Sequence, residues 1–390
     1  MDGFDLLVRG GTVLGTALRG AERRADIGIR AGRVVALGDL AGARAAETLD
    51  ATGQYVSAGW LDLHAHVFRP AMREGIDADE DAGVRTGVTT VVDAGSFGAA
   101  HYDAFAAAVE GRATRVLAFL NISVDTTLSP RHGHWDNFDT RKTLAALERD
   151  GGRHLLGVKV LASQTHCAGM GLEPVKLAVQ AARLSGTRVM SHIGNSPPLI
   201  SDVLAQYQSG DVVTHAWHGK PGGLLDRSGD AIPAARAAVE RGVRFDMGHG
   251  SASFAFAAGA KAKAAGLPLH SVSTDIHAPN HLAGPVYDLA TTMSKALWLG
   301  FDLEQVVAMV TAGAAASIGR EGELGHIAVG READLTLFEV VDGPVRLVDA
   351  EGEAVEAARR IVARRALRRG VVHACRDGLS RAQAPQGAGA

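Results

Sequence analysis

Two histidines one residue apart, His64 and His66, close the apolar run Val56-Ser57-Ala58-Gly59-Trp60-Leu61-Asp62-Leu63. Side chains two apart on a strand leave it on the same face, so both imidazoles could grip one metal ion. Similar apolar runs carry Lys159, His192, His215 and Asp275 at or beside their ends. Four imidazoles and a carboxylate are the ligand types that a divalent transition metal such as zinc selects. They are too many for one tetrahedral ion that must also keep a water. Two ions need a shared ligand to hold them about 3.5–4 Å apart, and Lys159 is the candidate bridge. Its neighbours, Leu155-Leu156-Gly157-Val158 and Val160-Leu161, would make an unpaired ammonium costly. Carbamylation by carbon dioxide would turn it into a carboxylate with one oxygen for each ion. The other readings of Lys159 are an ion pair with Asp275 or a Schiff-base lysine, and four histidines nearby favour metal. One strand histidine is more often a core or surface residue than a ligand; the group at the ends of five such runs, the first, fourth, fifth, sixth and eighth of the chain, points to a single mechanism.

Eight short β-type runs, ending at His64, Asp93, Asn121, Val160, His192, His215, Met247 and Asp275, alternate with Ala-rich helical stretches. That alternation implies a parallel sheet, and eight units over roughly 270 residues match a (β/α)8 TIM barrel, whose chemistry sits at the C-terminal ends of the strands. A doubly wound open sheet is the alternative, but no Gly-rich dinucleotide fingerprint follows the first strand. The first fifty residues read instead as short strands, Leu6–Arg9, Ala25–Ile29 and Arg33–Leu37, and the texture returns in Asp334–Val340 and Val345–Asp349. The fold expected is therefore α/β: a barrel over residues 56–324 and a small β-sandwich made from both termini, residues 1–55 with 325–375. A disordered tail is expected over 376–390.

The 390 residues are 46% hydrophobic and 21% charged, enough to bury a large core, and the net charge of -3 comes from interspersed acids and bases. No basic stripe suits nucleic acid, and no stretch reaches the length of a membrane span, so neither partner is expected. The acidic N-terminus lacks a signal-peptide pattern and the two cysteines, Cys167 and Cys375, form no disulfide framework; a cytoplasmic location is expected. A homo-oligomer fits such a chain, but no segment marks an interface.

These residues resemble the amidohydrolase superfamily, whose members carry a His-x-His pair, a carbamylated lysine, two further histidines and an aspartate on a distorted (β/α)8 barrel. The segments Asp62–Phe68, Asp246–Ser251, Ser273–His277 and Gly284–Leu289 are similar to its amidohydrolase/deacetylase branch, a dihydroorotase-like group, and the resemblance covers about the whole chain. It implies that His64, His66 and Asp275 hold the more buried of two metals, that His192 and His215 hold the more exposed one, and that carbamylated Lys159 bridges them. It implies too that Asp275 takes a proton from a shared hydroxide and passes it to the leaving atom. In dihydroorotases an arginine two residues beyond the second histidine holds the substrate carboxylate. Here that position is Phe68, with Arg69 one further along, and a one-residue shift turns a side chain to the other face of an extended segment.

Arg69, Asn195 in the proline-rich loop after the fifth strand, His218 after the sixth, and His277 with Asn280 just past Asp275 are the candidate substrate contacts. Cysteine lies at the metal centre of D-aminoacylase relatives, but Lys159 already fills the bridging role, and Cys167 reads as a small hydrophobe. His132 and His134 mimic a second pair but sit in a loop. The expected function is hydrolysis of an acyl amide or acyl ester of a small carboxylate-bearing metabolite by two divalent metal ions, expected to be zinc, with carbon dioxide present as a lysine carbamate. A cyclic amidase of the dihydroorotase or hydantoinase type is the alternative enzyme. A scaffolding homologue ranks low because the ligand set is complete.

Overall fold

The computed structural model describes residues 3–15, 18, 20–127, 134–167 and 169–383. Seven parallel strands follow one another in chain order around a curled sheet: Trp60–Ala65, Val88–Gly98, Arg115–Asn121, Leu155–Ala162, Arg188–Ile193, Val212–Thr214 and Arg244–Phe245. Alternation of side chains sorts each strand between two environments. Val116, Ala118 and Leu120 pack outward against the helices, while Leu117 and Phe119 join the apolar filling of the barrel. In the next strand Val158 and Val160 face the helices, so Lys159 between them must face inward. Helices such as Tyr102–Val109, Thr140–Asp150 and Glu173–Leu184 cover the outer surface. Asp139 starts the second of these by accepting from the backbone N–H groups of Arg141 and Lys142, and Gly151, at φ +60°, ends it.

The eighth expected strand, ending at Asp275, is not a regular ladder. Residues 271–276 lie between the seventh and first strands, joined by single bridges from Ser271 to Asp246 and from Ile276 to Ala65. Met247 and His249 donate to the carbonyls of Ser271 and Ser273, and Asp275 N–H donates to His64 O, so the ring closes. Two buried carboxylates interrupt the regular pairing. Asp246 takes the hydroxyls of Ser271 and Ser273, and Asp62 takes that of Thr274.

The two ends of the chain share a second sheet of eight strands. Its order is Val371–Ala374, Ala354–Arg368, Leu335–Val348, Tyr55–Ala58, Phe4–Val13, Arg24–Arg30, Arg33–Gly38, with Ala45–Asp50 also paired to Phe4–Val13. Leu6, Val8, Ile27, Ile29, Val34, Leu335 and Leu337 form its own apolar cluster. The last segment differs from expectation. Residues Gly378–Gln383 form a helix, Gly378 N–H donates to Asp288, and Asp377 pairs with Arg360, so the chain is ordered past 376. Residues 384–390, also expected to be disordered, lie outside the described residues.

Candidate active site

A cavity of about 280 Å³ opens at the C-terminal ends of the barrel strands and is lined by His64, His66, Lys159, His192, His215 and Asp275. All six residues singled out from the strand ends therefore meet in one place. Asp275 Oδ1 lies 3.2 Å from His64 Nε2 and 3.0 Å from His66 Nε2, and its Oδ2 lies 4.0 Å from His215 Nε2. Lys159 Nζ is 3.4 Å from His64 Nε2, and the His192 and His215 rings are 4.4 Å apart, edge to face. His215 and Asp275 both take left-handed backbone conformations, at φ +66° and +49°. Such a conformation costs roughly 1–2 kcal/mol for a residue with a Cβ, and it turns both side chains off the strand ends into the cavity.

The outer nitrogens of His64 and His215 fix which inner nitrogens carry lone pairs. Thr214 Oγ1 donates to Asp246 Oδ2 at 2.7 Å, so toward His64 Nδ1, 2.8 Å away, it must accept. His64 is then protonated at Nδ1 and its Nε2 lone pair faces Asp275. For His215 the partner of Nδ1 is the Gly248 carbonyl at 2.6 Å, which can only accept, so its Nε2 lone pair also points inward. His66 Nδ1 is held by Ser96 Oγ at 2.8 Å.

Electrostatics agrees with the hydrogen bonds. Burial, then the neighbouring Lys159, pushes His64 down to about 3, and burial with nearby histidines holds His192 well below its usual value. Burial also lowers His215. These rings are neutral donors of electron pairs. The His64 Nε2 lone pair thus faces a carboxylate oxygen of Asp275 across 3.2 Å, with that of His215 at 4.0 Å, in a largely buried site, an arrangement of acceptors that a cation relieves. His64, His66 and Asp275 present ligand atoms all within 4.8 Å of one another. Desolvation lowers Lys159 to about 8, so a neutral amine is accessible to it near physiological pH.

The candidate substrate contacts divide. His277 lines the cavity, its Nδ1 bonded to Asn280 Nδ2 and its Nε2 to Ser251 Oγ. Arg69 does not reach it: the side chain is 61% exposed, donates to Gly75 O and pairs with Asp81. The backbone N–H groups of Val67 and Phe68 both bind Asp93, which seats Phe68 against Phe97 and Phe105 and aims Arg69 outward. Asn195 is exposed and lies outside the cavity lining. His218 is buried beside a separate cavity with Trp217 and Lys220, and burial brings it down to about 4. Cys167 is buried with its thiol on Leu161 O, away from the cavity lining, and burial raises its pKa. His134 is exposed, and His132 lies outside the described residues.

Sequence reasoning missed His166. The short helix Gln164–Cys167 brings it into the lining, its ring 5.0 Å from His192 and its Nδ1 bonded to Ser163 Oγ. Its signal was position alone, just past the fourth strand. A buried pair, Lys295 Nζ and His249 Nε2 at 2.7 Å, was also missed. The lysine also donates to Pro285 O and thereby ties two loops of the active face together.

Residues 55–363 match the amidohydrolase family, and the chain belongs to it. It is a hydrolase acting on C–N bonds, built on the barrel of that family. A deacetylase of Agrobacterium fabrum is 36% identical over 334 residues, 84% of this chain and 81% of that one. A solved structure described as an adenine deaminase superposes with a TM-score of 0.89 at 32% identity, over 95% of this chain and all of the other. One described as a dihydroorotase superposes with a TM-score of 0.85, also at 32% identity, over 95% and 97% of the two chains. Among the described residues, no helix is long and apolar enough to cross a membrane.

Proposed function

We propose that the protein removes an acyl group from an amide or ester of a small carboxylate-bearing metabolite, using two divalent metal ions, with zinc the expected metal. The reading rests on one observation above all: four histidines, a lysine and an aspartate meet in one cavity at the strand ends, with the inner lone pairs of His64 and His215 fixed by outer hydrogen bonds. His64, His66 and Asp275 would hold one ion, His192 and His215 the other, and carbamylated Lys159 would join them. Ions bound there supply Lewis acidity and lower the pKa of water. The residues do the rest. Lys159, as a free amine, attacks carbon dioxide through Nζ; a C–N bond forms, one proton leaves, and the product is a carbamate anion. Asp275 takes a proton from the attacking water at its carboxylate and returns it to the leaving nitrogen or oxygen. The cavity of about 280 Å³ is of a size suited to a small-molecule substrate.

A deacetylase at 36% identity over most of both chains supports deacylation. The dihydroorotase form of the cyclic-amidase alternative is weakened because Phe68 lies in the core and no arginine lines the cavity among the described residues. We place the enzyme in the cytoplasm on its cysteine usage. The test is a panel of N-acyl amino acids, O-acyl hydroxy acids and cyclic ureides, with metal analysis alongside. Turnover confined to the ureides would overturn the acyl assignment. Lys159→Ala should lose metal and turnover together; full retention of both would refute the bridging role.

A further inference from the structure

A second cavity, of about 570 Å³, lies at the opposite end of the barrel, where the N-terminal ends of the third and fourth strands meet the turns of the terminal sheet. Eight arginines line it against three glutamates, in a chain whose net charge is -3. The arginines are not equally compensated. Arg115, Arg368 and Arg369 all converge on Glu332, with Asp334 shared by the first two. Arg112 and Arg153 each have a carboxylate nearby, and Arg320 pairs with Glu323, which Arg115 also approaches. Arg33 donates to Gly330 O and has no carboxylate within 4 Å among the described residues, and neither has Arg331. Counting the carboxylates just outside the lining, Asp77, Asp79 and Asp334, six acids still face eight guanidinium groups.

The wall is held in place and under-satisfied. Arg368 is only 10% exposed, and its Nε and the Nε2 of His154 are buried without a hydrogen-bond partner among the described residues. A buried guanidinium N–H in that state calls for an acceptor. Desolvation, with the charges of Arg115 and Arg369, lowers the pKa of Arg368, whereas an anion would raise it. Arg33 and Arg331 sit on backbone fixed by the Arg33–Glu332 bridge and by Val34 N–H donating to Arg331 O, so the two uncompensated charges are presented from a defined position. Planar guanidinium forks match the paired oxygens of phosphate or carboxylate.

We propose that this cavity binds a small polyanion, a phosphorylated or polycarboxylate metabolite, and so clamps the barrel to the terminal sheet. The site is independent of the deacylase reading, because none of its residues lines the catalytic cavity. The experiment titrates the full chain with pyrophosphate, and separately with citrate, against potassium chloride at matched ionic strength, following thermal unfolding and binding heat. The expected result is a saturable rise in Tm with at least one of the two anions. Arg33→Glu combined with Arg331→Glu should weaken that response at least roughly tenfold while leaving folding and basal turnover unchanged. Arg331→Ala alone, the milder variant, should weaken it measurably. Preference for pyrophosphate or for citrate identifies the headgroup, and either supports the site. A chloride control that reproduces the stabilisation, or a double variant that binds as tightly as the parent, overturns it.

Discussion

Thr214→Val tests whether hydrogen bonds outside the cavity set the state of the donors inside it. The hydroxyl links Asp246 to His64, and all three residues are fully buried. Valine keeps the shape of threonine and removes the link. Asp246 retains the hydroxyls of Ser271 and Ser273, so the unmatched group is the His64 Nδ1–H, a loss of about 1–3 kcal/mol of stability. The functional effect should be larger than a stability change explains. Without Thr214 the His64 ring is free to exchange tautomers or turn, and changes in such outer partners typically lower metal affinity or activity roughly 10- to 100-fold. The assay combines chelator competition for metal affinity, kcat/KM on the best acyl substrate, and Tm. Thr214→Ser restores the hydroxyl and should recover most of the activity even if its packing lowers Tm. The reasoning fails if Thr214→Val loses stability but keeps metal affinity and kcat/KM within about twofold of the parent.

Gly95 adopts φ +85°, and a Cβ placed there would stand 2.6–2.7 Å from the Lys159 stem. Gly95→Ala should therefore displace the lysine and lower turnover and Tm together; unchanged turnover would show that the position of Lys159 is not critical. Lys295 provides a pH test away from the donor set. Burial lowers it to about 7 from 10.5, so between those values the unfolded chain binds a proton that the native chain does not. Stability should rise with pH from about 7 toward 10.5 on this account, by several kcal/mol in order of magnitude, and the contribution should vanish below about 7. Urea midpoints at pH 7 and pH 9.5 measure it. Lys295→Met should remove that part of the slope, and an identical slope in the variant would refute the assignment.

The donor set was legible because two regularities act together. Period-two strands force Lys159 inward between two outward valines, and the barrel collects strand ends at one face. What could not be read depended on groups distant in sequence. The direction of Arg69 is decided by Asp93, a residue of the next strand, binding two backbone N–H groups. Ala354–Arg368, rich in alanine and arginine, favours helix by propensity, yet it forms the longest strand among the described residues. Antiparallel pairing along Leu335–Val348 overrides that preference, and three of its arginines find carboxylates there: Arg360 pairs with Asp377, Arg364 with Glu339, and Arg368 with Glu332 and Asp334. Lys295 shows the same limit from the other side. A lysine in a helix normally marks a solvent face, but every residue from Leu289 to Leu297 is buried, and only the return of His249 and Pro285 from other loops makes its position tolerable. The strand ends carry the chemistry in local order, whereas the loops that choose a substrate are set by contacts no single segment contains. This is why the sequence speaks more clearly about hydrolysis than about what is hydrolysed.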